Sequence, residues 1–402
     1  MPIRSLMFGW EYPPLHLGGL GVACQGIVRG LKHHGVKVTL VLPHPNASEP
    51  GVDVISPTKD WSETIHVQSM LSPYESTELY AKRISSIPKE LQHIYGADLP
   101  QAVAHFTEMS VEMTKDVPTD IVHCHDWMTY GAGTCAAHYH DKPLITHIHA
   151  TELDRTNFNP NEWIYKLERK GFNKADKIIA VSNYTKNILT EHYGISPDKI
   201  HVVHNGSSEQ IQMKECIHTN YRETKNPMVL FLGRMTIQKG PVQFLKMAEN
   251  IHRIRPEVQF VMAGEGNMMS EIIDRACEMN LHDCIVFTGK VSDDEAKSLY
   301  RQADCFVMPS LSEPFGLVAL EAISHGTPVV LSKQSGASEV VAHGFKVDFW
   351  DTDKMSDCVL TILREDSLAN QLKSEAPHIL KQLTWINQGQ QVHSIYKDLI
   401  SS

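Results

Sequence analysis

Two carboxylates and two cations stand out for the chemistry their spacing allows. Glu313 opens the run Glu313-Pro314-Phe315-Gly316-Leu317, and Glu321 follows eight residues after it. A short apolar run, Cys305–Met308, precedes this segment, and the pattern beyond Leu317 predicts a helix ending near His325, with Gly326 after it. The amides of Gly316 and Leu317 then sit at a helix N-terminus, where unpaired N–H groups and the helix dipole favour a phosphate. Gly316 has no Cβ and lets a ligand come close to the backbone. At the rise of a helix, the axial separation of the two acids is at most roughly 12 Å. That compares with the reach from a sugar ring, across a pyrophosphate, to a ribose. Carboxylates accept hydrogen bonds from vicinal hydroxyls, so Glu313 reads as a sugar ligand and Glu321 as a ribose ligand. Gly233-Arg234 follows the apolar run Met228–Leu232, and Lys239-Gly240 comes five residues later, in the same strand-to-helix loop. An Arg fork and a Lys point charge both suit phosphate oxygens, and they can stabilise a leaving diphosphate without a metal. Taken singly, each of these side chains reads as an ordinary solvated one; the set carries the chemistry.

The elements that must position them form two series of alternating strand and helix signals. The first begins with Leu6–Phe8, a loop rich in Pro and Gly, and a helix over 22–34 with Leu20, Cys24, Val28 and Leu31 on one face. Gly35 ends that helix, and the nearly all-apolar run Val36–Leu42 reads as a parallel strand buried on both faces. Further strands are expected near Ile121–Cys124, Leu144–His147, Ile178–Val181 and Ile200–Val203. After a polar stretch from Ser207 to Pro227, the second series has strands near Met228–Leu232, Gln259–Ala263, Cys284–Phe287, Cys305–Met308 and Pro328–Leu331. Ser292-Asp293-Asp294-Glu295 is a capping box opening one of its helices. The fold class is therefore α/β, with two doubly wound Rossmann-like domains facing across a cleft. Residues 1–210 form the N-terminal, acceptor-side domain, with a polar insertion over about 60–118. Residues 211–382 form the C-terminal, nucleotide-sugar-binding domain, and 383–402 a last helix crossing back to the first.

Bulk properties agree. A chain of 402 residues exceeds one hydrophobic core. A net charge of -10 argues against nucleic acid as the main partner, and also against docking on an anionic membrane through a basic face. Eight scattered cysteines show no CxxC spacing and read as buried free thiols of a reducing compartment. The N-terminus lacks a signal peptide's apolar run, and no stretch reaches the ~20 apolar residues of a membrane span. The chain reads as cytoplasmic, without stable membrane insertion.

Gly233-Arg234…Lys239-Gly240, Gly264-Glu265-Gly266, Gly289, Pro309-Ser310…Glu313-Pro314-Phe315-Gly316-Leu317…Glu321-Ala322 and Gly326-Thr327-Pro328-Val329-Val330 together resemble the retaining GT-B glycosyltransferases of family GT4. In the first half, Gly9-Trp10-Glu11-Tyr12-Pro13-Pro14 with Gly18-Gly19-Leu20-Gly21 resembles the donor-phosphate loop of glycogen and starch synthases. His125-Asp126-Trp127 and His149-Ala150-Thr151-Glu152 resemble two further motifs of that group. The resemblance implies that Arg234 and Lys239 bind the donor diphosphate. Gly18, Gly19, Phe315, Gly316 and Leu317 would complete its cradle. Glu313 would bind the transferred sugar, Glu321 the ribose, and the backbone around Lys290 and Val291 the base. His149 would sit near the reacting carbon and Asp126 on the acceptor side or beside the sugar. The register Lys-x-Gly-Gly-Leu of glycogen synthases proper reads His16-Leu17-Gly18-Gly19-Leu20 here.

Other chemistries fit less well. Gly19 and Gly21 make part of a dinucleotide fingerprint, but its third position is Cys24 and the second strand ends Leu42-Pro43-His44, with no acid for a ribose. Asp351-Thr352-Asp353 mimics a metal-binding DxD but reads as a helix cap. His138 and His140 stand two apart and do not share a helix face. No metal or bound cofactor is called for. The partners expected are a nucleotide-sugar donor and a carbohydrate acceptor. The expected reaction moves a hexose, glucose before others, from ADP- or UDP-sugar to a carbohydrate hydroxyl with retention, in the manner of glycogen synthase. The alternatives are a hexosyltransferase of cell-envelope or exopolysaccharide synthesis and, in a different class, a non-catalytic nucleotide-sugar binder. The oligomeric state is not legible in the sequence.

Overall fold

The computed structural model describes residues 2–13, 19–43, 50–55, 99–207 and 226–401. Gly18, His16 and Leu17 of the first glycine-rich loop, and most of the segment expected as an insertion, lie outside the described residues. By packing, the chain divides into two units. One comprises Met1–Glu152, Pro160–Gly206 and Trp385–Ser402; the other comprises Leu153–Asn159 and Ser207–Thr384.

In the first unit the described elements run β1 (Arg4–Phe8), α1 (Gly19–His33), β2 (Lys37–Val41), β3 (Asp53–Ile55), α2 (Leu99–Thr114), β4 (Ile121–His125), α3 (Trp127–His140) and β5 (Leu144–Ile148). The chain then forms the short helix α4 (Glu152–Arg155), whose residues from Leu153 on belong to the other unit, and continues in the first as α5 (Glu162–Lys174), β6 (Lys177–Ala180), α6 (Asn183–Tyr193) and β7 (Ile200–Val202). The strands pair in parallel in the order β3-β2-β1-β4-β5-β6-β7. Chain order reverses between β1 and β4, the switch point of a doubly wound sheet. Every residue of β4 and β5 is buried, as a strand covered on both faces requires. Helix α1 begins three residues earlier than the periodicity alone suggests, at Gly19. Gly35 follows it at a φ of +78°, a left-handed turn that spares a Cβ clash. Within the segment expected as a polar insertion, 99–114 forms helix α2, with Leu99, Ala102, Val103 and Phe106 buried and Phe106 edge-on to Trp10 at 5.0 Å. Its apolar stripe is interrupted by exposed polar residues, which hides it from a reading by composition.

The last helix packs against α1. Between Trp385 and Ser401 the chain is helical, and at Gly30 the two helices meet backbone on backbone. A Cβ there would lie 2.2 Å from the carbonyl oxygen of Trp385. The Trp385 ring occupies the space a side chain at Gly26 would need.

In the second unit the elements run β8 (Met228–Leu232), α7 (Pro241–Ile254), β9 (Gln259–Ala263), α8 (Met269–Glu278), β10 (Ile285–Gly289), α9 (Asp293–Gln302) and β11 (Cys305–Met308). After these come α10 (Leu317–Ser324), β12 (Val329–Ser332), α11 (Ala337–Val340), β13 (Phe345–Val347), α12 (Thr352–Arg364) and α13 (Asp366–Gln382). The helix Trp385–Ser401 of the first unit is then α14. The strands form a second parallel sheet, β10-β9-β8-β11-β12-β13, again reversing at its centre. Phe231, Phe244 and Phe260 pack edge to face in the core between sheet and helices. The capping box at Ser292 is formed, with Glu295 reaching back to the Ser292 amide at 2.7 Å. Asp351 caps α12 by accepting from the Lys354 amide at 3.0 Å, so this acid serves the helix, as its place before α12 implies. Strand β10 runs to Gly289, two residues past the expected end. Among the described cysteines all are free thiols; Cys135 and Cys277 are exposed and the others buried.

Candidate active site

In the second unit the chemistry-bearing residues gather at the carboxyl ends of β8 and β11. Two glycines bring the loops together. At Gly264, φ is +127° and a Cβ would fall 2.0 Å from the Gly233 carbonyl oxygen, so the exits of β8 and β9 stack backbone on backbone. At Gly240, φ is +70° and a Cβ would fall 2.1 Å from the Pro309 carbonyl oxygen. That contact presses the Lys239 turn against the segment leaving β11. Across it the Leu311 amide donates to the Gln238 carbonyl at 2.9 Å.

The result is an ion pair. Lys239 Nζ stands 2.6 Å from Glu313 Oε2, with the two side chains 21% and 7% exposed. Ser310 Oγ donates to the same carboxylate oxygen at 3.2 Å. The Glu313 backbone is held on both sides: its amide donates to the Gln334 carbonyl at 2.9 Å, and its carbonyl accepts from the Gly336 amide at 3.0 Å. The Ala337 amide donates to the Phe315 carbonyl at 2.6 Å. Gly316 follows at a φ of +101° as the residue before α10, a conformation that a side chain would strain. Sequence spacing assigns Lys239 to a diphosphate and Glu313 to a sugar; the fold places them in direct contact, so the lysine also fixes the carboxylate. Arg234 is half-buried, with Nη2 3.5 Å from Gln238 Oε1. Lys290 is exposed and Val291 partly buried between β10 and α9.

Glu321 points outward from α10 and is solvent-exposed, yet protein crowds it enough to hold its carboxyl above the usual range. The buried Tyr300 donates its hydroxyl to Glu321 Oε2 at 3.0 Å. Tyr300 and Ser310 are contributors the sequence reading misses. Ser310 lies inside the quoted Pro309-Ser310 motif and carries a signal; Tyr300 comes from the preceding helix and carries none.

The first unit presents a different constellation at the carboxyl ends of β4 and β5. Residues alternate faces along a strand, so His123 and His125 share one face of β4, and His147 with His149 continue it on β5. The register pairs His125 with His147. The rings form a two-by-two array, with centroids 4.4 to 5.4 Å apart and planes within 8° to 28°. His123, His125 and His147 are fully buried. Burial lowers all three well below the ordinary histidine range, and pushes His149 down to about 3. Tyr396 of α14 meets His123 Nδ1 at 2.6 Å. A nitrogen from each of His123, His125 and His147 lies within 4.8 Å of the others. Their lone pairs lie in nearly parallel ring planes, so they run alongside one another instead of converging as metal ligands do.

Asp126 follows β4 at φ +59° and ψ 167°, a region natural to glycine. That conformation costs on the order of 1–3 kcal/mol, and it delivers the carboxylate to the exit of β5. Asp126 Oδ1 accepts from the His149 amide at 2.7 Å. The two motif residues are thus one assembly. Gly19, the first residue of α1, is exposed at its N-terminus; Gly18 lies outside the described residues.

Two family models cover the two halves. Residues 17–209 match the model described as Glycosyltransferase Family 4, and residues 214–379 the model described as Glycosyl transferases group 1. The chain belongs to the family 4 glycosyltransferases. It is therefore a glycosyltransferase with the GT-B fold, two Rossmann-like sheets in one chain. An uncharacterized glycosyltransferase of Methanocaldococcus jannaschii is 28% identical over 416 aligned positions, covering 98% of each chain. A glycogen synthase of Mycobacterium tuberculosis is 28% identical, over 85% of this chain and 81% of that one. Among solved structures, the sucrose-phosphate synthase of Thermosynechococcus elongatus superposes with a TM-score of 0.76 at 19% identity, covering 100% of both chains. HepE of Anabaena in complex with UDP and glucose gives 0.70 at 17% identity, covering 99% of this chain and 100% of that one. Among the described residues, no helix is long and apolar enough to cross a membrane.

Proposed function

We propose that this glycosyltransferase moves a hexose, glucose before other sugars, from an ADP- or UDP-sugar to a carbohydrate hydroxyl with retention at the anomeric carbon, in the cytoplasm. The observation that carries the reading is the Lys239–Glu313 pair at 2.6 Å, set immediately before the Gly316 entry to α10. A cation for the diphosphate, a fixed acid for sugar hydroxyls and helix amides for phosphate oxygens then stand on one framework. The relative named glycogen synthase and the Anabaena structure holding UDP and glucose support the sugar and the nucleotide diphosphate.

In this reading Arg234 and Lys239 bind the diphosphate, with the amides of Gly316 and Leu317 and the loop of Gly18 and Gly19. Phe315 is buried and keeps the cradle in place. Glu321, oriented by Tyr300, takes the ribose hydroxyls, and the backbone at Lys290 and Val291 takes the base. His149 and Asp126 serve the sugar and acceptor side. The bond from the anomeric carbon to the phosphate oxygen breaks as the acceptor oxygen bonds the same carbon from the same face. The acceptor's proton goes to the departing diphosphate. The protein's contribution is position and charge, so the reading calls for no metal.

Proton NMR of the product formed from an α-linked donor tests the stereochemistry. An α-linked product is expected from the first turnover; a β-linked product would contradict front-face transfer.

A further inference from the structure

Among the described tryptophans, Trp10, Trp127 and Trp385 are buried, Trp163 is partly buried and Trp350 is 63% exposed. Tryptophan is highly buried on average, so an indole left in water calls for a reason. A loose backbone does not supply one. Trp350 lies in the turn between β13 and α12, and the residues around it are tied down. Asp348 accepts from Lys333 Nζ at 2.8 Å and from Gln334 Nε2 at 3.0 Å. The Phe349 amide donates to Gln334 Oε1 at 3.3 Å, and the Asp351 amide to the Asp348 carbonyl at 2.9 Å. The Phe349 ring meets the indole at 81°, with centroids 4.9 Å apart, and steadies it. A ring held in this way loses little freedom when a ligand settles on it.

The turn also belongs to the framework of Glu313. Strand β13 runs parallel to β12 and β11 at the edge of their sheet, so the turn leaves the sheet at the same carboxyl end as Glu313. Gln334 joins the two: its carbonyl accepts from the Glu313 amide at 2.9 Å, and its side chain holds the Phe349 amide. Bond lengths along that path put the Cα atoms of Glu313 and Trp350 at most roughly 22 Å apart, a span that a short oligosaccharide covers.

We propose that Trp350 is a stacking platform for one sugar ring of a glucan chain, so that the acceptor is a chain carbohydrate and not a single small sugar or polyol. The acceptor role rests on the proposed function; the platform itself does not. One face of a pyranose is a patch of C–H bonds that an indole covers, while the hydroxyls at its rim need acceptors. Asp348 and Asp351 bracket Phe349-Trp350 in the turn and supply carboxylates for them. The same acids disfavour an anionic lipid surface. A single indole, burying about 150–250 Å², also falls far short of the roughly 1,000 Å² of a stable protein interface.

Affinity electrophoresis of the full chain through soluble glucan, without donor, tests the platform. Trp350→Ala should weaken retention roughly tenfold, the size of one aromatic contact, with the urea midpoint unshifted because the ring is exposed. Trp350→Phe keeps an aromatic face and should recover part of the loss. Equal retention of the wild-type chain and Trp350→Ala overturns the proposal, as does a wild-type chain that glucan does not retain. So does a Trp350→Ala variant that loses binding to anionic vesicles, or that dissociates a dimer in sedimentation, since the ring would then serve a membrane or a second copy. In turnover, KM for the glucan should rise about tenfold in Trp350→Ala, with KM for the nucleotide sugar unaltered. A KM for maltose raised as much as that for glucan would overturn the claim that the ring holds a distant part of a chain. Retention that depends on Trp350 in a protein that transfers no sugar would sink the proposed function and leave the platform standing.

Discussion

Replacing Lys239 with Ala should lower kcat for hexosyl transfer by roughly 10²–10³-fold, the usual effect of removing one preorganised charge partner from a developing anion. Two causes combine. The ammonium proposed to face the leaving diphosphate is lost, and Glu313, only 7% exposed, loses the partner that fixes it. Stability should fall as well. Breaking a fully buried pair costs about 3–5 kcal/mol because a charge is stranded; here the cost should be smaller, since Lys239 retains 21% exposure. The double variant Lys239→Ala with Glu313→Gln separates the effects. Removing the stranded charge should restore most of the urea midpoint, because Ser310 can still bond the amide oxygen, while transfer stays as low as in the single variant. Near-normal turnover by Lys239→Ala would contradict its assignment to the diphosphate.

The second large effect is on stability in acid. In the folded chain His123, His125 and His147 are held neutral by burial, well below the usual range near 6.5. Unfolded, each titrates normally. Between pH 6.5 and the depressed folded values, the unfolded state therefore binds more protons than the native state, and stability must fall as pH falls. Above 6.5 their contribution is fully present and constant. His149, held down to about 3, adds a fourth ring, so about a pH unit below 6.5 the slope approaches about 5 kcal/mol per pH unit. Urea unfolding of the first unit, followed through buried Trp10 and Trp127, should show a steep loss from pH 6.5 to 5.5. In His147→Phe, which keeps an aromatic ring in the stack, the slope should be shallower by one proton. A stability that is flat across this range would contradict neutral rings.

Both expectations depend on contacts that differ sharply in how visible they are from sequence. Strand and helix alternation is legible because strands covered on both faces are continuous apolar runs, as in Met228–Leu232 and Cys305–Met308. Local devices are legible too: the box at Ser292, the cap at Asp351 and the turn at Gly35 involve residues three or fewer apart. The Lys239–Glu313 pair spans 74 positions and exists because backbones touch at Gly240 and Pro309. The motif names both residues and does not say that they meet. Tyr300 reaches Glu321 from a separate helix. The array is harder still. The motifs mark His125 and His149, but with 23 histidines in the chain nothing joins His123 and His147 to them until the register of β4 on β5 puts His125 beside His147. The strain at Asp126 is invisible for the same reason, since its φ follows from the hydrogen bonds at the exits of two strands.

The central claim is that the Lys239 and Glu313 framework serves sugar transfer from a nucleotide donor. Release of nucleoside diphosphate tests it most directly, measured for the wild-type chain across ADP- and UDP-hexoses with soluble glucan or anionic lipid vesicles present as acceptor source. The account predicts stoichiometric diphosphate release from an ADP- or UDP-glucose donor, stimulated by the glucan and not by the vesicles. Tight binding of those donors with no diphosphate released under any acceptor would contradict it.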